Sequence, residues 1–278
     1  LLYGLEVTRN KGPWDSPEDL RKYSGTLKYT GGNKYDGFSI TGMAYKNTWN
    51  STDQIPQRAM SSGLIGRFGA IDPTDGGETS RYSLSYAMHK RTQDSLFELN
   101  AYAVQSRLKL FSNFTYFLDN PADGDQFQQS ENRRMYGLNA AQTWIDKVGG
   151  ITMQNKIGFQ TRYDRLSPVG LYDTIAQERT ATVREDKVKE ASMGVYAENS
   201  AQWLDKFRTV AALRYDAYRF NVDSDIAGNS GKARDHTVSP KLSLIFGPWA
   251  RTEYFVNYGK GFHSNDARGT TQTQLPGG

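Results

Sequence analysis

The sequence predicts an all-β protein, an antiparallel up-and-down β-barrel that crosses a membrane. Three observations favour this fold. Apolar and polar residues alternate with a period of two in many segments, as in strands whose two faces meet different surroundings. The connections between these segments are short and long in turn. Aromatic residues make up 13% of the chain, and several recur eight residues apart on the apolar face.

The composition excludes several other classes of protein. The chain has 278 residues and a mean hydropathy of −0.69, and it contains no apolar run near the ~20 residues of a transmembrane helix. It has no cysteine, which excludes disulfides, thiol nucleophiles and thiolate metal sites. Its 34 basic and 30 acidic residues are interleaved rather than clustered into the basic stripe of a nucleic-acid-binding protein.

The strands follow from the alternation. Between Ile151 and Asp164 the odd positions are mainly apolar and the even positions are polar or glycine. Residues 207–215, 82–89 and 253–258 repeat this pattern. Extended along the chain, it predicts eleven strands, at 2–9, 22–30, 35–49, 79–91, 94–118, 131–145, 151–164, 186–202, 207–222, 237–247 and 252–263. Between Val104 and Lys109 the alternation slips, which indicates either a bulge or a strand that runs beyond the membrane.

The connections alternate in length. Short ones are predicted at 31–34, 92–93, 146–150, 203–206 and 248–251, and long ones at 10–21, 50–78, 119–130, 165–185 and 223–236. Barrels of outer membranes have tight periplasmic turns and large extracellular loops, and they would give this pattern. A soluble sandwich gives no reason for every second loop to be long.

Aromatic spacing also predicts a membrane. Eight residues of strand span roughly 26 Å, or about 20 Å at a tilt near 40°, a little under the ~25 Å apolar band between aromatic girdles. We therefore expect two girdles, formed by pairs that are eight residues apart: Tyr136 and Trp144, Phe207 and Tyr215, and Tyr254 and Phe262.

The predicted barrel is incomplete. Eleven is an odd number, whereas single-chain bacterial barrels have even numbers of strands, and no C-terminal strand with a terminal aromatic is present. The first residues already follow a strand pattern and do not form a signal peptide. We therefore expect about half the wall of a barrel of about 22 strands with a plugged lumen.

Several stretches resemble the barrel domain of TonB-dependent outer-membrane receptors. They lie at 12–15, 37–45, 49–58, 110–118, 125–129, 238–241, 246–250 and 257–269, and the most specific are WNSTDQIPQR at 49–58 and NYGKGFHSNDARG at 257–269. The resemblance spans essentially the whole chain and implies one partial barrel domain over residues 1–278. The plug domain with its TonB-contacting segment and the last barrel strands would be missing.

The resemblance also implies a function. A receptor of this kind lies in outer-membrane lipid and takes up a scarce nutrient such as siderophore-bound iron, cobalamin or a glycan. Its partner would be the TonB complex, which acts through the plug, and no cofactor is implied. A passive porin is the alternative, and an outer-membrane enzyme or adhesin is a weaker one.

Two groups of residues are candidate sites. Ligand contacts are expected in the long loops, because aromatic and arginine side chains supply tight binding; packing of the loops or plug is the other explanation. These residues are Trp49, Asp53, Gln54, Gln57, Arg58, His263, Asn265, Asp266 and Arg268. On the polar strand face, a second group either lines a plug or forms a hydrated wall without specific contacts. It comprises Lys156, Gln160, Arg162, Arg208, Arg214 and Asp216.

Other chemistry is not expected. The three histidines lie far apart without the spacing of a metal site, and the acidic clusters at 119–125 and 72–78 do not match a calcium-binding loop. A lipase would need His236 as the base for Ser239, within hydrogen-bonding reach and oriented by a third group. Asp235 stands beside His236, but Ser239 precedes Pro240 at a strand start, which does not favour a lipase.

Overall fold

The computed structural model describes residues 1–262 and 266–274. Its eleven strands are β1 Leu2–Asn10, β2 Leu20–Gly32, β3 Asp36–Asn50, β4 Gly76–Arg91, β5 Ser95–Ser112, β6 Phe127–Val148, β7 Ile151–Ile175, β8 Glu178–Leu204, β9 Phe207–Ser224, β10 Gly231–Trp249 and β11 Thr252–Gly259. Two short helices, α1 Gln57–Ser61 and α2 Ala267–Thr271, and a 3₁₀ turn at Ala227–Asn229 lie in the connections. Of the helices in these residues, none has the length and apolar character needed to cross a bilayer.

The predicted fold class is confirmed. The strands form one antiparallel sheet in which each pairs with its neighbours in sequence, from β1 to β11. All eleven predicted segments contain a strand. Within the described residues β1 pairs with β2 and β11 with β10, without a pair between β1 and β11. The sheet is therefore an open wall of up-and-down strands.

The register between neighbouring strands places the apolar positions of each strand on the same face of the sheet. Phe159 pairs with Val195, Val195 with Tyr215, and Tyr215 with Val238, and directly opposed residues project to the same side of a sheet. This apolar side is called the outer face, and the opposite side the inner face. Leu213 on the outer face is 56% exposed. A wide exposed apolar face is typical of a surface that contacts lipid.

Aromatic side chains form belts on the outer face near the short turns. Phe207 stacks on Phe246 with 5.1 Å between ring centroids. At the other end of the apolar zone, Tyr136 pairs directly with Tyr163. The prediction for Tyr254 and Phe262 is wrong. β11 ends at Gly259, and the Phe262 ring lies 5.7 Å from that of Tyr218, which projects from the inner face.

Several strand ends differ from the prediction. The expected long loop at 165–185 is a hairpin, because β7 continues to Ile175 and β8 begins at Glu178. Its two turn residues, Ala176 and Gln177, have φ of 49° and 70°, as in a tight type I′ turn. β10 begins at Gly231, within the expected loop 223–236. β5 ends at Ser112 rather than 118, and its pairing has no register shift, so no bulge explains the slip at 104–109.

Candidate functional site

The six predicted wall residues all project from the inner face. Lys156, Gln160 and Arg162 occupy even positions of β7, and Arg208, Arg214 and Asp216 occupy even positions of β9. They do not form one cluster, because β8 lies between the two strands. The Asp216 side chain is buried, so it supports Arg214 rather than meeting the lumen directly.

An arginine followed two residues later by an aspartate occurs on three neighbouring strands. Because strand side chains alternate, this spacing places both groups on one face. On β7, Arg162 donates through Nε to Asp164 Oδ2 at 2.6 Å and through Nη2 to Oδ1 at 3.1 Å. On β9, Arg214 donates through Nε to Asp216 Oδ2 at 2.8 Å and through Nη2 to Oδ1 at 2.7 Å. Both are bidentate pairs, which fix the guanidinium plane.

The third pair was missed by the sequence analysis. On β8, Arg184 Nε lies 2.7 Å from Asp186 Oδ2, and both residues are buried. Arg184 lies in the expected long loop 165–185, and Asp186 is the first residue of the predicted strand 186–202. The repeated Arg-x-Asp spacing was the available signal, since it occurs at 162, 184 and 214.

Neighbouring residues shape the space for the Arg214 pair. Gly194 lies opposite Asp216, and a Cβ atom there would collide with Nη2 of Arg214 and Oδ1 of Asp216. The Arg214 guanidinium also lies over the ring of Tyr196, 5.8 Å from its centroid. Glycine at position 194 and an aromatic ring at 196 therefore hold this arginine in one place on the wall.

A cavity of about 580 Å³ opens at the loop end of the inner face. Arg184 borders it from the wall, and Asp266, Arg268 and Gln272 border it from the segment that contains α2. Arg268 donates through Nε to Oδ1 and through Nη2 to Oδ2 of Asp266, which holds the pKa of that carboxyl below its usual range. Of the four loop candidates between 263 and 268, Asp266 and Arg268 thus lie together, whereas His263 and Asn265 lie outside the described residues.

The segment with α2 is anchored to the inner face. Ala267 is fully buried in a small apolar cluster with Leu166, Val169, Val188 and Val222. Asn229, also fully buried, accepts the backbone N–H groups of residues 273 and 274 through its Oδ1. This packing covers part of the upper lumen and places Arg268 beside the cavity.

The loop candidates between residues 49 and 58 lie where two long loops pack together. Asp53 accepts hydrogen bonds from Ser51 Oγ at 3.0 Å and from the Asn113 backbone at 3.4 Å. The Gln54 carbonyl accepts one from the Tyr116 hydroxyl at 2.8 Å. Arg58, from α1, borders a separate cavity of about 720 Å³ beside the aromatic segment 114–118. Trp49, still within β3, lies against Gly77 of β4, and Gln57 begins α1.

Gln126 connects these loops to the β7–β8 hairpin. Its buried side chain donates from Nε2 to Thr74 Oγ1 at 2.8 Å and to Asp75 Oδ1 at 3.0 Å. Its Oε1 accepts from Thr174 Oγ1 at 3.0 Å and from the Gln177 backbone at 2.8 Å. Gln126 was not selected as a site residue from the sequence, although it lies in the stretch 125–129 that resembles the family.

Burial raises the pKa of the Asp75 carboxyl to about 7. The nearby carboxylates of Asp72 and Asp53 contribute to this rise in the pKa, and the hydrogen bond from Gln126 opposes it. Three carboxyl groups therefore meet in this loop cluster. Even so, no group of three or more metal-ligating side chains in the described part of the chain has the arrangement of a metal site.

The lipase arrangement does not form. His236 pairs with Ala217 on the outer face, whereas Ser239 pairs with Arg214 on the inner face. A base and nucleophile on opposite sides of one strand cannot share a hydrogen bond.

Solved structures of outer-membrane receptors share this fold. The ferric citrate transporter FecA in its unliganded form matches with a TM-score of 0.77 at 11% identity, over 92% of this chain and 38% of that one. The ferric-catecholate import receptor Fiu from E. coli K12 gives 0.65 at 9% identity, over 92% and 49%. The siderophore receptor PiuA from Acinetobacter baumannii gives 0.65 at 10%, over 89% and 42%. Comparison with curated protein sequences gives no match.

A sequence profile then defines the family. The profile described as "TonB dependent receptor-like, beta-barrel" matches residues 9–278. The chain belongs to the TonB-dependent receptor β-barrel family, whose place is the outer membrane of Gram-negative bacteria. The family and its structural neighbours are receptors and transporters, not enzymes. The chain spans between 38% and 49% of the length of these three structures.

Proposed function

We propose that this chain is part of an outer-membrane receptor that takes up a scarce small nutrient with energy delivered by the TonB complex. The observation that carries the proposal is the two-sided wall. Its outer face is mainly apolar, and its inner face carries buried and half-buried ion pairs. Such a wall encloses a wet lumen within a membrane.

The wall would be about half of a larger barrel. Eleven strands form an open sheet here, and a barrel of about 22 strands has a plugged lumen. The fraction of the structural neighbours that the chain spans supports this proportion. We expect residues 1–278 to form a single partial barrel domain.

The inner face suits a plug that is held reversibly. The plug would contact the side chains of Lys156, Gln160, Arg162, Arg208 and Arg214. Asp216 would act indirectly, by holding Arg214 in place. Hydrogen bonds and exposed ion pairs exchange with water at small net cost, about 1 kcal/mol each, so the TonB complex could displace the plug without breaking a dry interface.

The nutrient would be captured above the plug. A metal chelate is the first candidate, because FecA is a ferric citrate transporter and Fiu a ferric-catecholate import receptor. Cobalamin and glycans are the other candidates. Residues of the loops and upper lumen, including Arg58, Asp266 and Arg268, would contact the nutrient or hold the loops that do.

Uptake by cells tests the proposal. A strain that lacks the receptor is complemented with the gene that carries this chain and supplied with limiting ferric chelates, cobalamin or glycans. We expect uptake of one class to depend on the receptor and to stop when the proton gradient or TonB is removed. Receptor-dependent uptake that persists without TonB would indicate a passive porin and contradict the proposal.

A further inference from the structure

Three cations lie side by side on the outer face, on strands β6, β7 and β8. Arg134 pairs directly with Arg165, and Arg165 pairs directly with Lys189. Directly opposed residues of neighbouring strands have Cβ atoms about 5 Å apart, and like charges in these positions repel each other. All three residues are exposed. They are called the cationic row.

The cationic row is not neutralised by carboxylates of this face. It continues to Gln105 on β5 and Asn221 on β9, which are neutral amides, and the nearest carboxylate on the outer face of β9 is Asp223. In the part of the chain that the structure describes, none of the three cations takes part in an ion pair. The adjacent row toward the membrane adds two directly opposed and exposed cations, Arg219 on β9 and Arg234 on β10. Five cations on five neighbouring strands thus share one face, and a bound anion would relieve their repulsion.

The cationic row lies at the level of lipid headgroups. Arg134 is two residues from Tyr136 on the side of the loops, and Arg165 is placed in the same way relative to Tyr163. Two residues of strand span roughly 7 Å, or about 5 Å along the membrane normal at a tilt near 40°. Headgroups occupy about 5–8 Å on each side of the ~30 Å hydrocarbon core. Because the long loops of such barrels are extracellular, these headgroups belong to the outer leaflet of the outer membrane.

Arginine and lysine at this depth suit a phosphate headgroup. A guanidinium binds two phosphate oxygens through parallel N–H groups, and an ammonium supplies a compact charge. Each basic residue near an anionic membrane surface strengthens binding roughly fivefold. The row from Arg134 to Lys189 crosses two interstrand spacings, or roughly 10 Å, so it has room for more than one phosphate group.

We propose that the cationic row, together with Arg219 and Arg234, binds a lipid of the outer leaflet whose headgroup carries more than one phosphate. The phosphates would lie over the cations, and the acyl chains would lie against the apolar outer face on the membrane side of Tyr163. The cations adjoin this apolar face, which a soluble anion would leave uncovered, so the geometry favours a lipid. The site is separate from nutrient uptake, because its residues project from the wall on the side opposite the lumen.

Lipid binding to the purified full-length receptor in detergent micelles tests this proposal. The probes are lipid A with two phosphates, lipid A with one phosphate and zwitterionic phosphatidylcholine, and native mass spectrometry counts the bound molecules. The row variant removes the three cations of the row, by Arg134→Gln, Arg165→Gln and Lys189→Gln. The control variant removes three exposed cations from the short-turn end of the wall, by Arg91→Gln, Lys147→Gln and Arg251→Gln.

We expect the row variant to bind diphosphoryl lipid A at least about tenfold more weakly than the wild-type protein and the control variant. The wild-type protein should also prefer the diphosphoryl form to the monophosphoryl form. Equal binding by the row and control variants would overturn the proposal, and so would equal binding of diphosphoryl lipid A and phosphatidylcholine by the wild-type protein. Pyrophosphate serves as a soluble competitor. If it bound the row as tightly as the lipid does, the site would belong to a soluble anion and the lipid assignment would be wrong.

Thermal unfolding separates lipid binding from a role of the cations in folding. Without lipid, the row variant should unfold at or above the temperature of the wild-type protein, because the substitutions remove repulsion between like charges. With diphosphoryl lipid A, the unfolding temperature of the wild-type protein should rise and that of the row variant should not. A row variant that is less stable than the wild-type protein without lipid would contradict the proposal, because groups of the protein itself would then stabilise the cations.

Discussion

The lipid-spanning part of the β7–β8 hairpin and its upper part have the same backbone but obey different constraints. Between Ile151 and Tyr163 the outer face meets lipid, so the side chains of that face must be apolar while the inner ones can be polar. Above Leu166 both faces meet water or other loops, and the pairing contains three register shifts that the lower part lacks. The comparison shows that contact with lipid imposes the alternation of apolar and polar side chains. The strands themselves continue above the membrane, where this alternation is lost.

The largest expected effect concerns the two faces at mid-membrane. Ala211 lies on the outer face midway between Phe207 and Tyr215, and Ala212 lies beside it on the inner face. We expect Ala211→Arg to lower the free energy of unfolding in liposomes by about 2–4 kcal/mol, because the charge enters lipid. Ala212→Arg is the matched control and should cost less than about 1 kcal/mol, since that face is polar and includes Glu198. Equal costs for the two substitutions would contradict the assignment of one face to lipid and the other to the lumen.

The next effect concerns the loop end. Gln126→Ala removes hydrogen bonds to Thr74, Asp75, Thr174 and Gln177 and leaves buried groups without partners. We expect opening of the loop cluster to become easier by about 2 kcal/mol, measured as faster hydrogen exchange at the Gln177 amide. The exchange of lipid-spanning strands should not change. Gln93→Ala, in a short turn at the opposite end, serves as the control, and a general loss of protection would show that the loops and wall unfold together.

A smaller effect tests the fit of the Arg214 pair. Gly194→Ala forces a methyl group against Arg214 and Asp216, and overpacking of this kind costs about 1–2 kcal/mol. Gly42→Ala is the control, because no atom lies within 4 Å of a Cβ built there. Urea unfolding should separate the two variants. If both behave like the wild-type protein, the pair is not held as closely as the structure indicates.

The smallest effect is a pH dependence confined to the loops. Since the folded state raises the pKa of Asp75 from 3.8 to about 7, the loop cluster gains stability from this group at low pH and loses it as the pH rises from 3.8 through about 7. Water and loop movement limit the change to about 1 kcal/mol. Asp75→Asn should flatten the pH profile of Gln177 exchange and slow that exchange at about pH 8. A profile that keeps its slope in the variant would assign the dependence to another group.

The sequence predicted the membrane-spanning half better than the loop end, and particular residues show why. Ile157 and Phe159 faced a single constraint, contact with lipid, which can be recognised from spacing alone. Arg184 was placed in the loop 165–185, and Asp186 at the first position of a predicted strand, because no lipid imposes alternation on this part of the chain. Phe262 has the spacing of a girdle residue, yet the chain leaves β11 at Gly259 and turns toward the inner face.

The candidate site was predicted in part for similar reasons. The even positions of Arg162 and Arg214 in the alternating pattern were enough to place them on the inner face, because the side chains of a strand point in only two directions. It could not show that Asp164 and Asp216 lie buried beneath them, which depends on register with β8. The role of Gln126 depends on contacts across about fifty residues of sequence, which no local pattern encodes.

The central claim is that β7 presents odd positions to lipid and even positions to a wet lumen. This chain has no cysteine, so a single cysteine introduced at each position from 153 to 162 is the only labelling site within residues 1–278. Collision rates with oxygen, which dissolves in lipid, and with a water-soluble nickel complex should alternate with a period of two in the receptor reconstituted in bilayers. We expect oxygen to favour the odd positions and nickel the even ones. Uniform values, or the opposite phase, would contradict the account.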